Sequence, residues 1–543
     1  MRVTADKSAT TRRTRCRADG GFAMIVALGV MFVTSLLLVA AFTAADSEIH
    51  LSRQSTTASQ AYYAALAGVQ QYEYELQNNP DYWESCAAPS GVEGEQRYEV
   101  KVLAASTDVE GTECNSANPF KTVIESKGNL ANTFRIESVG CAGKANMATC
   151  TGQKRPTVAT RKLVASFQVS GFLDYVYFTK YELIDPSLYS HPSAKCEEYY
   201  EGGARSGECR TLIFAEGDDV NGPMKTDDAA HVACSKELSF GRKGHEPPDA
   251  VEIDGGTWPS CGGNEPTYYT ATKTWSKGHE ISPPESDTSL EAYVEQGAPQ
   301  DNELLGRNEL ILNSPSNEKI TDKYWVKVKG VATEESRELE WPKNGLLFIA
   351  QNPEFECSYE YSNNSSDEAD NATETSEELG CGTVYVHGTY SKSLTLAAED
   401  ELIINGDIVP KGVTTGEAPT GTATVGLIAS KFVRVYHPCT GSGNSAGFLE
   451  NPWIYAANLS TDHSFMVDNY ACGKPMGKLG LYGAIAQKFR GAVGTVGGGG
   501  QTSGYIKEYK YDERLATDEP PYFLAPLKAG WKIIRETSPE ADN

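Results

Sequence analysis

Between Phe22 and Ala45 the chain reads FAMIVALGVMFVTSLLLVAAFTAA, 24 residues with no charged side chain and only Thr34, Ser35 and Thr43 polar. As an α-helix this segment is about 36 Å long, enough to cross a hydrocarbon core of about 30 Å. The apolar stretch of a cleaved secretory signal is typically about 7 to 15 residues, so this one is too long for that reading. Six basic side chains (Arg2, Lys7, Arg12, Arg13, Arg15, Arg17) stand against Asp6 and Asp19 in residues 1–21. The positive-inside rule therefore expects a cytoplasmic leader and a single-pass chain whose bulk lies outside the cell membrane.

Helical character extends past the apolar segment. Residues 46–77 contain no proline, and only Gly68 interrupts a run rich in Ala, Gln, Glu and Leu. Ile49, Tyr63, Leu66, Val69 and Leu76 form a discontinuous apolar stripe, and Asn78-Asn79-Pro80 supplies a stop. One helix of about 55 residues, near 80 Å long, is predicted across 22–79, half apolar and half amphipathic.

The junction Gly20-Gly21-Phe22, directly before the apolar helix, resembles the type III leader cut by prepilin peptidases. Glycine at the cut permits an extended backbone at the membrane face. Gln60-Ala61-Tyr62-Tyr63-Ala64-Ala65-Leu66-Ala67-Gly68-Val69 is similar to the Q-A-[FY]-Y-A-A-E-A-G-[LV] stretch of PilX-type minor pilins, with Leu66 where that family has Glu. The resemblance implies cleavage between Gly21 and Phe22, and a motif carried by Gln60, Tyr63, Ala64, Ala65, Ala67 and Gly68. It also implies partners: other pilin subunits, a prepilin peptidase and a pilus assembly platform. Val26 occupies the fifth mature position, where major pilins carry Glu, which points to a minor or tip subunit.

Beyond the helix, 80–172 is expected to hold a pilin-like antiparallel sheet. Its strands are predicted at 97–104, 120–125, 134–139 and 158–169, between Gly, Asn and Pro clusters. A linker, 173–209, opens on an aromatic run around Tyr175, Tyr177, Phe178 and Tyr181. Such a cluster serves as packing between domains or as a ligand platform, and packing is the favoured reading. From 210 to 530 short β-prone runs alternate with turn residues, for example at 346–350, 393–397, 401–404, 425–428 and 479–486. The fold class is therefore α+β: a transmembrane pilin helix, a small antiparallel sheet and a large, mainly-β region. An irregular β-helix is the first expectation for that region and a β-sandwich the alternative. Segments around Phe214 to Asp228, Tyr482 to Thr495 and Tyr511 to Leu515 resemble parts of long PilX-like proteins of actinobacteria.

Asp and Glu outnumber Lys and Arg by 73 to 48, a net charge of -25, which repels nucleic-acid phosphates and anionic headgroups from the large region. The insertion 358–380 is acidic, rich in Ser and Asn, and nearly devoid of apolar residues, as surface loops are. Of 13 cysteines, Cys16 lies in the leader and twelve follow residue 80. No C-x-x-C pair or zinc spacing occurs among the twelve, so no metal or cofactor is expected and disulfides in an oxidising compartment are. Nearest-neighbour closure predicts Cys86–Cys114, Cys141–Cys150, Cys196–Cys209, Cys234–Cys261, Cys357–Cys381 and Cys439–Cys472.

Asp218, Asp219, Asp227 and Asp228 are dense enough to imitate a catalytic or calcium site. No G-x-S-x-G, H-E-x-x-H, P-loop or EF-hand accompanies them, and acidic turns between strands are more often solvated. The chain is accordingly read as a non-enzymatic structural subunit that takes part in pilus assembly. Two alternatives remain: a pilus-borne adhesin of unknown surface ligand, and a membrane-anchored β-helical carbohydrate-active protein.

Overall fold

A computed structural model describes residues 22–79, 82–86, 88–93, 96–104, 133–143, 150, 158–169, 171–189, 194–200, 208–270, 280–295, 302–313, 318–359, 361, 378–440, 443–445, 447–497, 500–526 and 531–537. The described chain is mostly β, with one long N-terminal helix, a small antiparallel sheet and a large β region. The helix α1, Phe22–Asn78, runs 57 residues without a break. It ends where Asn79 donates its N–H to the Glu75 carbonyl and Pro80 follows, whose ring and missing N–H block another turn.

Four strands come next: β1 (Ser90–Glu93), β2 (Gln96–Ala104), β3 (Thr133–Gly143) and β4 (Val158–Val169), each antiparallel to its successor. Alternate residues of β2, β3 and β4 turn Val100, Val102, Phe134, Ile136, Leu163, Ala165 and Phe167 onto one face. Against them α1 lays Ala65, Val69, Tyr72 and Leu76. Phe134 and Phe167 stack with ring centroids 5.2 Å apart, and the Tyr72 ring lies 5.9 Å from each. Burial of each large side chain here contributes about 1.5–3 kcal/mol, which is what holds half of α1 to the sheet. The segment 120–125, expected as a strand, lies outside the described residues.

The fifth strand of this sheet comes from the far end of the chain. Trp531–Thr537 pairs antiparallel with β4. Everything between Val169 and Trp531 is therefore an insertion into the small sheet, whereas the sequence suggests a contiguous unit ending at residue 172. The expected linker is also reassigned in part, because Tyr177–Tyr181 is a strand of the large sheet.

Within the large region strand stacks upon strand in parallel register. One series runs from Leu346–Ala350 to Leu394–Ala398, Val425–Ala429, Trp453–Ser460 and Pro475–Phe489. A second runs from Asn308–Asn313 to Val384–Tyr390, Leu402–Pro410, Val433–Val435 and Phe465–Val467. Parallel stacking is not the antiparallel pairing that builds a β-sandwich, and it leaves each strand's inward residues above those of the next. Leu347, Leu396, Leu427, Asn458, Ile485, Tyr177, Met224 and Val251 form one such inward column. Asn458, the polar member, donates to the carbonyls of Ala456 and Ala484.

That column also reveals an unusual chain order. Pro475–Phe489 pairs with Tyr177–Tyr181, which continues to Met224–Thr226 and Val251–Ile253, again in parallel. The earlier segment of the chain thus extends the stack begun by the later one. Their junction is tied by buried charges: Arg490 Nη1 bonds Glu182 at 3.0 Å, and Lys507 Nζ bonds Asp218 at 2.7 Å. Arg490 also donates to the Leu212 and Ile213 carbonyls and covers the Phe214 ring at 3.6 Å.

Candidate functional site

Over Met24–Thr43, α1 has no protein around it. Met24–Thr43 is long and apolar enough to cross a membrane, with mean hydropathy 2.6 and none of it buried. By length and composition this helix fits a membrane anchor or a signal sequence. Its three hydroxyls bond within the helix, Thr34 to the Val30 carbonyl, Ser35 to Phe32 and Thr43 to Val39, so none needs water in an apolar surrounding. Gly21 lies outside the described residues, and Phe22 is the first residue of the helix.

The stretch 60–69 sits where α1 meets the sheet. Ala61, Ala64, Ala65, Gly68 and Val69 are buried, Gln60 is half-buried, and Tyr63 and Ala67 face outward. Small residues are required because the helix backbone rides on β3. A Cβ at Gly68 would press on the Ser138 hydroxyl and come within 2.9 Å of Tyr98 Cδ2 and 3.1 Å of Val100 Cγ2. A Cβ at Gly140, on β3, would overlap the backbone of Ala61 and Ala65. Ser138 Oγ donates to the Ala65 carbonyl at 2.7 Å, a bond only this close approach allows. Gly68 is legible in the sequence as a helix interruption; its sheet-side counterparts Gly140 and Ser138 carry no local signal.

The outer surface of the large region is not bare either. Phe348, Ala397, Ile428, Leu459, Ala486 and Phe178 form an outward column, in register, ending at Lys225 and Glu252. Residues 280–295 lie as a strap over it, packing Ile281, Leu290 and Val294 among these apolar side chains. Two buried carboxylates pin the strap. Asp227 accepts from the Ile281 N–H at 3.2 Å, and Asp287, on the strap itself, accepts from Ser430 Oγ at 2.7 Å. Burial pushes each carboxyl up to about 7, in the case of Asp227 against the opposing pull of Lys225.

The four clustered aspartates each take donors from within the fold. Asp218 receives Lys507 Nζ, Lys507 N and Ala215 N. Asp219 receives Ser239 Oγ, and Asp228 receives the backbone N–H groups of Glu182, Tyr200 and Ala229. Asp227 divides between Ile281 N and Lys225 Nζ, the latter at 3.2 Å. Each is a tie within the fold. The aromatic run is likewise interior: Tyr177 and Phe178 are buried, and Tyr181 stacks on Phe489 at 5.4 Å.

A further buried charge group is centred on Arg434. Arg434 bonds Glu401 with Nη2 at 2.6 Å and Asp468 with Nη1 at 2.8 Å, with its guanidinium 4.5 Å from the Tyr361 ring centroid. Burial pushes both carboxyls up, and the Arg434 charge opposes that rise. Disulfides join Cys141–Cys150, Cys196–Cys209, Cys234–Cys261, Cys357–Cys381 and Cys439–Cys472. Cys86 is also disulfide-bonded, while Cys114 lies outside the described residues. Asp400 sits close to Cys357 and Cys381, but the two sulfurs are bonded to each other and are not thiolate ligands.

The pairs and the apolar helix fit a chain whose bulk lies outside the cytoplasm. The chain matches no protein-family model, no curated protein and no solved structure.

Proposed function

We propose that this chain is a minor or tip pilin-like subunit of a type IV pilus or a type II secretion-like filament, and that it acts in assembly without catalysing a reaction. The observation that carries the reading is the division of α1. One unbroken helix is fully exposed and apolar over Met24–Thr43, then packed on a sheet through Ala61, Ala64, Ala65, Val69, Tyr72 and Leu76. Such a helix is held by lipid before assembly and by the apolar helices of other subunits afterwards. Its partners are therefore the membrane, other pilins, the prepilin peptidase and the assembly platform.

The large region is read as an irregular β-helix standing outside the cell, at its surface or on the pilus. Parallel stacking in single-residue register, with continuous inward columns, supports that reading. Insertion between β4 and Trp531–Thr537 gives it two covalent connections to the sheet that carries the helix. Position 26 favours low copy number. A carboxylate there neutralises the N-terminal amine of a neighbouring subunit in an apolar bundle, and Val26 supplies none.

Immunogold labelling of filaments tests this placement. Sparse particles at tips are expected, and expression of this chain alone with the assembly machinery should give no filaments. Even decoration along whole filaments, or homopolymers, would remove the proposal.

A further inference from the structure

One end of the stacked strands is closed by a hairpin, Ile320–Val328 and Val331–Leu339, whose first strand pairs antiparallel with Asn308–Asn313. Its two strands keep one register from Ile320–Leu339 to Val328–Val331 with no bulge. The connection is two residues, Lys329 and Gly330, both at positive φ, 54° and 82°, as a type I′ turn requires. The pair flanking such a turn exchanges both backbone hydrogen bonds, and every second pair repeats this. The backbone groups of Ala332, Glu334 and Ser336 consequently point away from the hairpin. Among the described residues Val331–Leu339 pairs with no strand but Ile320–Val328, and residues 331–338 are all exposed.

We propose that this edge is a docking site that takes an extended, basic segment of a partner protein as an added strand. Edge strands that must stay single are usually short, bulged, broken by proline or guarded by charge, lysine above all. This one is nine residues long with no bulge and no proline, and its guard is chiefly acidic, which repels a second copy and leaves a basic strand unopposed. It is also held in shape. Leu339 and Ile320 are buried at its base, and Trp325 of the first strand packs under the Arg307 guanidinium at 4.7 Å. A partner strand would thus meet a preformed template and add main-chain hydrogen bonds at small ordering cost.

Charge selects the occupant. The exposed strand carries Glu334, Glu335 and Glu338 against one cation, Arg337, which is committed to buried Asp322 at 2.8 Å. Glu335 accepts from the Tyr324 hydroxyl at 3.1 Å and Glu338 lies 3.5 Å from Lys319 Nζ, both at the exposed surface. A second copy of the strand would set these acids against their own kind, on chains of net charge -25. The acidic insertion of this chain, 358–380, has the same sign. A segment with Lys or Arg at alternate positions meets the edge with opposite charge, and the exposed Val328 and Val331 beside the turn offer it an apolar end. The inference stands apart from the filament reading and survives or fails on its own.

The test uses the detergent-solubilised full chain and three nine-residue peptides: lysine alternating with valine and threonine, the same with glutamate for lysine, and the lysine peptide with a central proline. The lysine peptide should bind at least tenfold more tightly than either control. It should also slow amide exchange at Ala332, Glu334 and Ser336. Ser336→Pro, which removes an outward donor without breaking the inner ladder, should weaken binding at least tenfold. Glu334→Lys with Glu338→Lys should reverse the preference toward the glutamate peptide. If the proline peptide binds as well as the lysine peptide, or protection appears elsewhere, the association is diffuse charge attraction and the edge is not a strand site. Self-association through the same amides would equally overturn the basic-partner assignment.

Discussion

Replacing Gly140 by alanine tests the helix–sheet contact at its tightest point. The new Cβ would overlap the Ala61 carbonyl oxygen and the Ala65 nitrogen, which are backbone atoms that no rotamer change can move aside. Relief requires α1 to lift off β3 by about 1 Å or more, which forfeits much of the dispersion contact along that line. Overpacking of this kind costs about 3 kcal/mol. Lifting also breaks the bond from Ser138 Oγ to the Ala65 carbonyl, worth about 1 kcal/mol. A loss of about 4 kcal/mol in local stability should speed amide exchange in β3 by about a thousandfold. Gly171→Ala is the control, because Gly171 has φ -110° and its nearest atom to a new Cβ is Leu173 N at 3.9 Å. If β3 amides in Gly140→Ala exchange at the wild-type rate while Gly171→Ala behaves identically, α1 does not rest on β3 as described.

Arg434→Met should destabilise the large region by about 3–5 kcal/mol in a denaturant titration, since Glu401 and Asp468 would remain buried without their cation. Replacing all three by apolar residues should recover most of that loss. Asp227 and Asp287 have folded values near 7, above the ordinary carboxylate range, because burial disfavours their charged forms. Their contribution is therefore fully present only below the ordinary carboxyl value of 3.8, falls as pH rises above it and is gone once pH passes about 7, so the strap 280–295 should open more readily at pH 8 than at pH 5. Exchange of its amides, corrected for intrinsic pH dependence, measures this, and Asp287→Asn should flatten the profile. Replacing Cys357 and Cys381 together by serine opens a closure of sequence separation 24 and should cost about 3 kcal/mol in thermal or denaturant unfolding.

Local features were legible from sequence, and long-range ones were not. The apolar run and the absence of proline mark α1, predicted to residue 79 and observed to Asn78. Alternation in VATRKLVASFQV marks β4, and short, mostly apolar runs mark Leu346–Ala350, Leu394–Ala398 and Val425–Ala429. The return of Trp531–Thr537 to β4 has no such trace, because a strand's own residues do not say which edge it joins. The junction of Tyr177–Tyr181 with Pro475–Phe489 is hidden for the same reason, so the aromatic run reads as a linker. Hairpin Ile320–Leu339 escapes because Thr, Glu, Ser and Arg dominate its second strand, where both faces are wet. Asp218, Asp227 and Asp228 look like surface acids because sequence does not show Lys507, Lys225 or the backbone donors that bury them.

The central claim concerns the exposed, apolar segment Met24–Thr43 of α1, and the mass and N-terminal sequence of the mature chain test it most directly. Protein recovered from membranes or filaments should begin at Phe22, and Gly21→Leu should block processing and leave a product about 2 kDa heavier, one leader of 21 residues. A membrane-bound chain that retains residues 1–21 in wild type would identify a plain anchor. A soluble chain cut near Ala45 would identify a secretory signal. Either result would contradict assembly through a helix that begins at Phe22.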